Sequence, residues 1–257
     1  MPLGFDRTGE GPTLVLLHPL GADRHVWDQV VPLLASEREV VTVDLPGFGT
    51  SPPLTGAQDP RALAVAVASF LDQQGILHPH VIGNSLGGWV ALELALADAT
   101  RAVTGIAPAG LWPRPLAPKP SVARRLARGA LPVVRGLTAT ARGRRLLLSG
   151  TVAHPQRVPA AAAAQLIRSY ATAPGFVAVN DAMRAGAFVD LEQIRVPATL
   201  VWPQYDRLIA RPQRLPAFVQ SIDLPDTGHI PMLEAPEAVA RVLLDARDPA
   251  TEPATQR

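Results

Sequence analysis

Residues 79–97, P-H-V-I-G-N-S-L-G-G-W-V-A-L-E-L-A-L-A, constrain the fold more than any other stretch of the chain. Val81 and Ile82 form a short branched apolar run, the mark of a buried strand. Val90, Leu94 and Ala97 recur on one face of a helix, with Ala91 and Ala95 beside them. Between the two stands Gly83-Asn84-Ser85-Leu86-Gly87-Gly88, so a serine is set on a sharp strand-to-helix turn. Such a turn strains the serine backbone and crowds its neighbours. Gly83 and Gly87 relieve the crowding, and Gly88 lets the helix pack closely on the sheet.

Strand and helix signals alternate on both sides of this turn. Residues 3–7 read as a short first strand. Residues 13–17 are a continuous apolar run, as in a parallel strand covered on both faces, and end in His18-Pro19-Leu20-Gly21. Trp27, Val30, Val31 and Leu34 follow at helical spacing, then a strand over 39–43 that closes in Asp44-Leu45-Pro46-Gly47-Phe48-Gly49. Asp59-Pro60 signals a helix start, and Leu63, Val67, Phe70 and Leu71 mark that helix's buried face. A strand over 102–107 comes after the serine turn. Later signals predict a strand over 198–202, a helix over 211–218, a strand near 219–224 and a helix after Pro236. This alternation predicts an α/β fold, a mostly parallel sheet flanked by helices on both faces.

Alternation stops between 111 and 190. Prolines 113, 115, 118 and 120 are followed by an Arg-rich helical stretch, an Ala-rich run and a helical segment over 176–183. A helical insertion over the carboxyl edge of the sheet is expected there, with a core of residues 1–110 and 191–247. Trp112, Leu116, Leu126, Leu131, Val134, Leu146 and Leu147 are candidates for the roof of a pocket. The polar tail 248–257, with two prolines, is expected to be disordered.

Composition excludes several classes. No apolar run approaches the roughly 18 residues of a membrane span, and the start M-P-L-G-F-D-R lacks signal-peptide character, so a cytoplasmic protein is expected. Without cysteine there is no disulfide and no thiol nucleophile. His78-Pro79-His80, the only close histidine pair, reads as a solvated loop, and no metal site is indicated. Twelve Lys/Arg against two acids give residues 111–190 a net +10, which leaves −8 for the rest of a chain whose net charge is +2. Such asymmetry can steer anions or simply solvate helix faces. The basic stretch lacks interleaved aromatics, so a nucleic-acid partner is not expected.

In order along the chain stand H-P-L-G, D-L-P-G-F-G-T-S, G-N-S-L-G-G, a late Asp and D-T-G-H-I-P-M-L-E-A-P-E. This ordered set resembles the α/β-hydrolase family with a helical cap. The resemblance implies a nucleophile, an acid and a histidine at Ser85, Asp206 and His229, with Asp223 and Asp226 as rival acids. It also implies an oxyanion hole from backbone N–H groups of Leu86 and of the loop after the early strand. Many relatives read His-Gly in that loop, but residue 19 is proline and has no N–H, so the donor expected here is Leu20. His18 is expected to brace the loop, and Asp44 to be scaffold.

Serine needs an adjacent base, and the base needs an acid to fix its tautomer. The reaction implied is cleavage of a small carboxylic ester, thioester or lactone through an acyl-enzyme, without cofactor. Relatives with an aspartate nucleophile are disfavoured by Ser85. Asn84 resembles hydrolases of carbon–carbon bonds in ring-cleavage products, which commonly carry Trp where this chain has Ile230. That activity is the alternative, and a hydrolase-fold binding protein without activity is a third. Asn84, Trp112 and Ile230 are the candidate substrate contacts.

Overall fold

A computed structural model describes residues 2–117 and 122–250. Seven strands form one sheet in the order β1-β3-β2-β4-β5-β6-β7. They are β1 (Phe5–Thr8), β2 (Thr13–Leu17), β3 (Glu39–Val43), β4 (His80–Asn84), β5 (Ala102–Ile106), β6 (Ala198–Pro203) and β7 (Gln220–Leu224). Only β1 is antiparallel, paired to β3 from Phe5↔Val43 to Thr8↔Val40; the remaining pairs are parallel. The chain therefore reverses its direction of travel across the sheet between β2 and β4, the topological switch at which such sheets bind ligands.

Both faces of the sheet are covered. In β2, Leu14 and Leu16 join the cluster beneath α1 (Val31–Leu34) and α9 (Pro236–Asp245), while Val15 and Leu17 join the opposite cluster with α2 (Pro60–Gln73) and α3 (Leu86–Leu96). The unbroken apolar run of β2 exists because neither face meets water. Helix α3 is buried nearly all round rather than on one face: Trp89 and Leu92 are as enclosed as Val90 and Leu94, whereas Ala97 lies exposed past its end. It lies between the sheet and α2, and Trp89 meets Trp112 edge-on.

Between β5 and β6 the described elements are helical: α4 (Val122–Ala130), α5 (Val134–Ala139), α6 (Ala141–Leu148), α7 (Ala160–Thr172) and α8 (Phe176–Ala185). Pro118 and Pro120 of the proline run lie outside the described residues. The α7–α8 turn sits on the loop after β3, where Gly175 donates its N–H to the Gly47 carbonyl at 2.9 Å. A Cβ on Gly47 would come within 2.7 Å of the Gly175 Cα, so the two backbones touch directly. Arg124 and Arg128 of α4 reach across to α7 and donate to the carbonyls of Tyr170, Ala171 and Ala173 at its end. Arg144 does the same for Thr138 and Pro155. Part of the basic charge thus caps helix ends. Leu126 is 71% exposed and Leu146 is 76% exposed, so neither roofs a pocket.

Three expectations need correction. Residues 211–218 form no helix, because Pro216 would remove an N–H and clash one turn after Pro212. His80 is not solvated: it is fully buried in β4, with Nε2 2.9 Å from Thr104 Oγ1. Asp248, assigned to a disordered tail, is buried against Arg101 at 2.7 Å, with His80 Nδ1 3.4 Å away; residues 251–257 lie outside the described residues. No described helix is long and apolar enough to cross a membrane.

Burial pushes the Asp248 carboxyl up, but hydrogen bonds from His80 and Arg101 outweigh it and hold the group well below the usual carboxylate range. A depressed folded-state pKa stabilises above the unfolded value near 4 and loses that contribution as pH falls below it. Asp248→Ala should cost on the order of 3 kcal/mol in urea unfolding at about pH 7. The deficit should shrink as pH is lowered towards about 3.

Candidate active site

Ser85 joins β4 directly to α3 with φ 55° and ψ −113°, a backbone conformation that costs a non-glycine residue roughly 1–3 kcal/mol. Its N–H donates to the Ile106 carbonyl at 3.0 Å, and its own carbonyl accepts from Trp89 and Ala109 at 3.1 and 2.9 Å. A Cβ on Gly83 would lie 2.0 Å from the Gly87 carbonyl oxygen, and one on Gly87 would lie 2.4 Å from that of Leu17. At Gly88 it would meet Pro108 at 2.8 Å. The glycine spacing around Ser85 is therefore a packing requirement.

His229 and Asp206 come from loops at the same edge of the sheet. His229 Nδ1 and Asp206 Oδ2 are 2.7 Å apart, both side chains 5% exposed. The other carboxylate oxygen of Asp206 accepts from the Leu208 and Ile209 N–H groups at 2.7 and 3.0 Å. Both oxygens are thus fixed, and the pairing makes Nδ1 the protonated nitrogen and leaves Nε2 free to accept a proton. The rival acids face elsewhere. Asp223 is exposed and paired with Arg211, and Asp226 pairs with His154 and Arg157.

Ser85 and His229 are linked through the backbone. Asn84 Nδ2 donates to the carbonyls of His229 and Ile106, each at 3.0 Å. Among the described residues, no hydrogen bond joins the Ser85 hydroxyl to the imidazole; such contacts commonly tighten only around substrate. Likewise among the described residues, neither the Leu20 nor the Leu86 N–H has an acceptor. His18 is fully buried, Nδ1 2.8 Å from the Pro19 carbonyl and Nε2 accepting from the Leu45 N–H at 3.0 Å. Burial lowers its pKa, so it is a neutral brace with a fixed tautomer. Asp44 is scaffold: burial raises its pKa, but the Thr50 and Arg24 N–H groups and the Arg24 guanidinium outweigh that and hold it ionised.

The candidate substrate contacts are each engaged within the protein. The Asn84 amide nitrogen is committed to backbone carbonyls, and Trp112 Nε1 donates to Gly186 at 2.8 Å. Ile230 is buried, its N–H on the Thr151 carbonyl at 3.0 Å. Sequence reasoning missed Glu234, a buried carboxylate that accepts from the N–H groups of Gly228, Ala153 and His154. Its signal was an acid closing the otherwise apolar I-P-M-L that follows His229. An open groove of about 710 Å³ between Gln29, Arg135 and α7 includes none of Ser85, Asp206 and His229. No three His, Asp or Glu side chains among the described residues are grouped to hold a metal ion.

The model of the alpha/beta hydrolase family matches residues 14–242, and the chain belongs to that family. It is 33% identical over 196 residues to the epoxide hydrolase EphH of Mycobacterium tuberculosis, covering 70% of this chain and 91% of that one. It is 47% identical over 103 residues to the pimeloyl-[acyl-carrier protein] methyl ester esterase of Aeromonas hydrophila, a match that spans only 39% of either chain. Among solved structures, the enol-lactonase of Burkholderia xenovorans LB400 superposes with a TM-score of 0.75 at 23% identity, over 95% of each chain.

The glycine requirement predicts a sharp contrast. Gly83→Ala should cost several kcal/mol, lowering the melting temperature by about 10 °C or more. Gly56→Ala, where an added Cβ meets open space, should melt within about 2 °C of the parent.

Proposed function

We propose that the protein is a serine hydrolase that cleaves a small carboxylic ester, thioester or lactone through an acyl-enzyme. One observation carries this reading: the 2.7 Å Asp206–His229 pair, anchored on both carboxylate oxygens and tied through Asn84 to the turn that bears Ser85. Ser85 Oγ attacks the carbonyl carbon while Nε2 of His229 takes the hydroxyl proton. Asp206 stabilises the imidazolium and keeps the remaining proton on Nδ1. The oxyanion rests on the Leu20 and Leu86 N–H groups, whose lack of another acceptor among the described residues suits that role. The proton then passes to the leaving group, and water repeats the sequence on the acyl-enzyme to restore Ser85.

The match to the Aeromonas esterase supports an ester as the first substrate class. Chemistry through an aspartyl nucleophile is not available, because position 85 is serine. Asn84 lends the carbon–carbon hydrolase alternative no separate support, since its amide nitrogen serves the backbone. The intact Ser85, His229 and Asp206 argue against a binding protein without activity. The helical segment 111–190 would act as a cap that selects substrate.

A fluorophosphonate probe should label Ser85, and Ser85→Ala should abolish labelling and lower turnover on the order of a million-fold. Labelling that survives in Ser85→Ala refutes the nucleophile. A panel of p-nitrophenyl esters, lactones, thioesters and vinylogous 1,5-diketones separates ester from carbon–carbon cleavage. Asp206→Asn should fold normally yet lose roughly ten-thousand-fold in kcat, because the imidazole is then held in the wrong tautomer. Asp226→Asn should lose less than about tenfold, since its partners are His154 and Arg157. The reverse order would move the acid to the turn before His229.

A further inference from the structure

Glu234 is a charged group with 5% exposure, six residues beyond Gly228 in a loop that otherwise buries Pro231, Met232 and Leu233. A carboxylate is expensive to bury unless its lone pairs are filled. Here three backbone donors fill them. Oε1 accepts from Gly228 at 2.5 Å and Ala153 at 3.1 Å, and Oε2 accepts from His154 at 2.6 Å. One of these donors belongs to the residue before His229, and the other two belong to the segment that follows α6 in the helical insertion.

Four further contacts join the same two stretches. The Ile230 N–H donates to the Thr151 carbonyl at 3.0 Å. A Cβ on Gly228 would lie 2.5 Å from the Ala153 nitrogen and 2.7 Å from the Val152 carbonyl carbon, so only glycine lets the strands of chain touch. Asp226 is held by His154 at 2.6 Å and Arg157 at 2.8 Å. Residues 151–157 therefore form a strap across the loop 226–234, on both sides of His229. Only Glu234 among these groups is a buried charge that bonds both partners at once.

We propose that Glu234 is a positioning residue: its carboxylate locks the His229 loop to the 151–154 strap, so that the histidine is set by the insertion as well as by Asp206. This rests on the hydrolase reading above. A misplacement of about 1 Å at a reacting group can cost on the order of a hundredfold in rate, and Gly228 is adjacent to that group. Because Asp206 holds the imidazole directly and Glu234 holds the backbone that carries it, losing one changes what the other is worth.

The test uses Glu234→Gln in the full chain. Gln keeps the shape but turns an NH₂ towards at least one of the three N–H donors. Amide hydrogen exchange at Gly228, Ala153 and His154 should speed by about tenfold or more while β4 amides keep their protection. With the best ester of the panel, kcat should fall by about tenfold to a hundredfold and KM by less than about threefold. The rate of fluorophosphonate labelling of Ser85 should fall with kcat. In the Asp206→Asn background the same substitution should cost much less than in the parent. Should Glu234→Gln not fold, Glu234→Asp keeps the charge but withdraws it by one methylene and should give the same pattern in weaker form. Unchanged exchange at the three amides overturns the lock. Faster exchange with kcat within about twofold of the parent, or fully additive losses with Asp206→Asn, overturns the positioning role. A parent protein that the probe does not label refutes the hydrolase reading and the positioning role with it, while the exchange experiment still reports whether the strap is locked.

Discussion

The turn at Ser85 holds because backbone segments approach one another more closely than any side chain would permit. Gly83 faces the Gly87 carbonyl, Gly87 faces those of Leu17 and His18, and Gly88 faces Pro108. Those contacts fix the distances between β4, the start of α3, the end of β2 and the segment leaving β5. The end of β2 at Leu17 and His18 is consequently held against the helix start that follows Ser85. Backbone strain at φ 55° is tolerated because the surrounding chain leaves the serine no other conformation.

A second device recurs at the carboxyl edge of the sheet. Asp23, Asp44, Asp206 and Glu234 are each withdrawn from solvent, and each accepts at least one backbone N–H from a loop. Loops have few apolar contacts to hold them, so a buried carboxylate with several charge-assisted bonds substitutes for a small core. Asp23 also accepts from Gln165 and Ser169, so it ties the β2 loop to α7 as Glu234 ties the histidine loop to the strap. Arginines do the complementary task for the insertion, ending α7 with the guanidinium groups of Arg124 and Arg128 on its last carbonyls.

Features that depend on local chemistry were legible in the sequence. The apolar run at 13–17, the Asp59-Pro60 helix start and the glycines about Ser85 each announce a structure that only such residues can form. The closeness of Asp206 to His229 was not legible from spacing alone, since Asp223 and Asp226 are nearer in sequence; family order pointed to it, and the geometry brings the pair together. What failed depended on distant partners. His80 and Asp248 are far apart in the chain, and nothing near either of them signals that Asp248 would pair with Arg101 and lie beside the His80 ring. Leu126 follows the apolar pattern of a buried helix face, yet it is exposed, and Arg124 and Arg128 are the residues of that helix that bond α7, on its last carbonyls. Over 211–218 the strand–helix alternation favours a helix, and Pro216 forbids it.

The meeting of Gly47 with Gly175 has a consequence for how such an insertion can be exchanged. Together with the strap over Gly228, it gives the segment between β5 and β6 two footings on the core, on different loops, in each of which a glycine is pressed against backbone. An arch on two footings does not swing from one hinge. A chimera that replaced residues 111–190 wholesale would have to rebuild both seats, glycine against backbone, to sub-ångström tolerance. One confined to residues 122–148 would leave both seats in place and would have to supply new caps for the carbonyls that end α7. The part of the insertion open to variation is thus its outer arc, and the inner ends belong to the core.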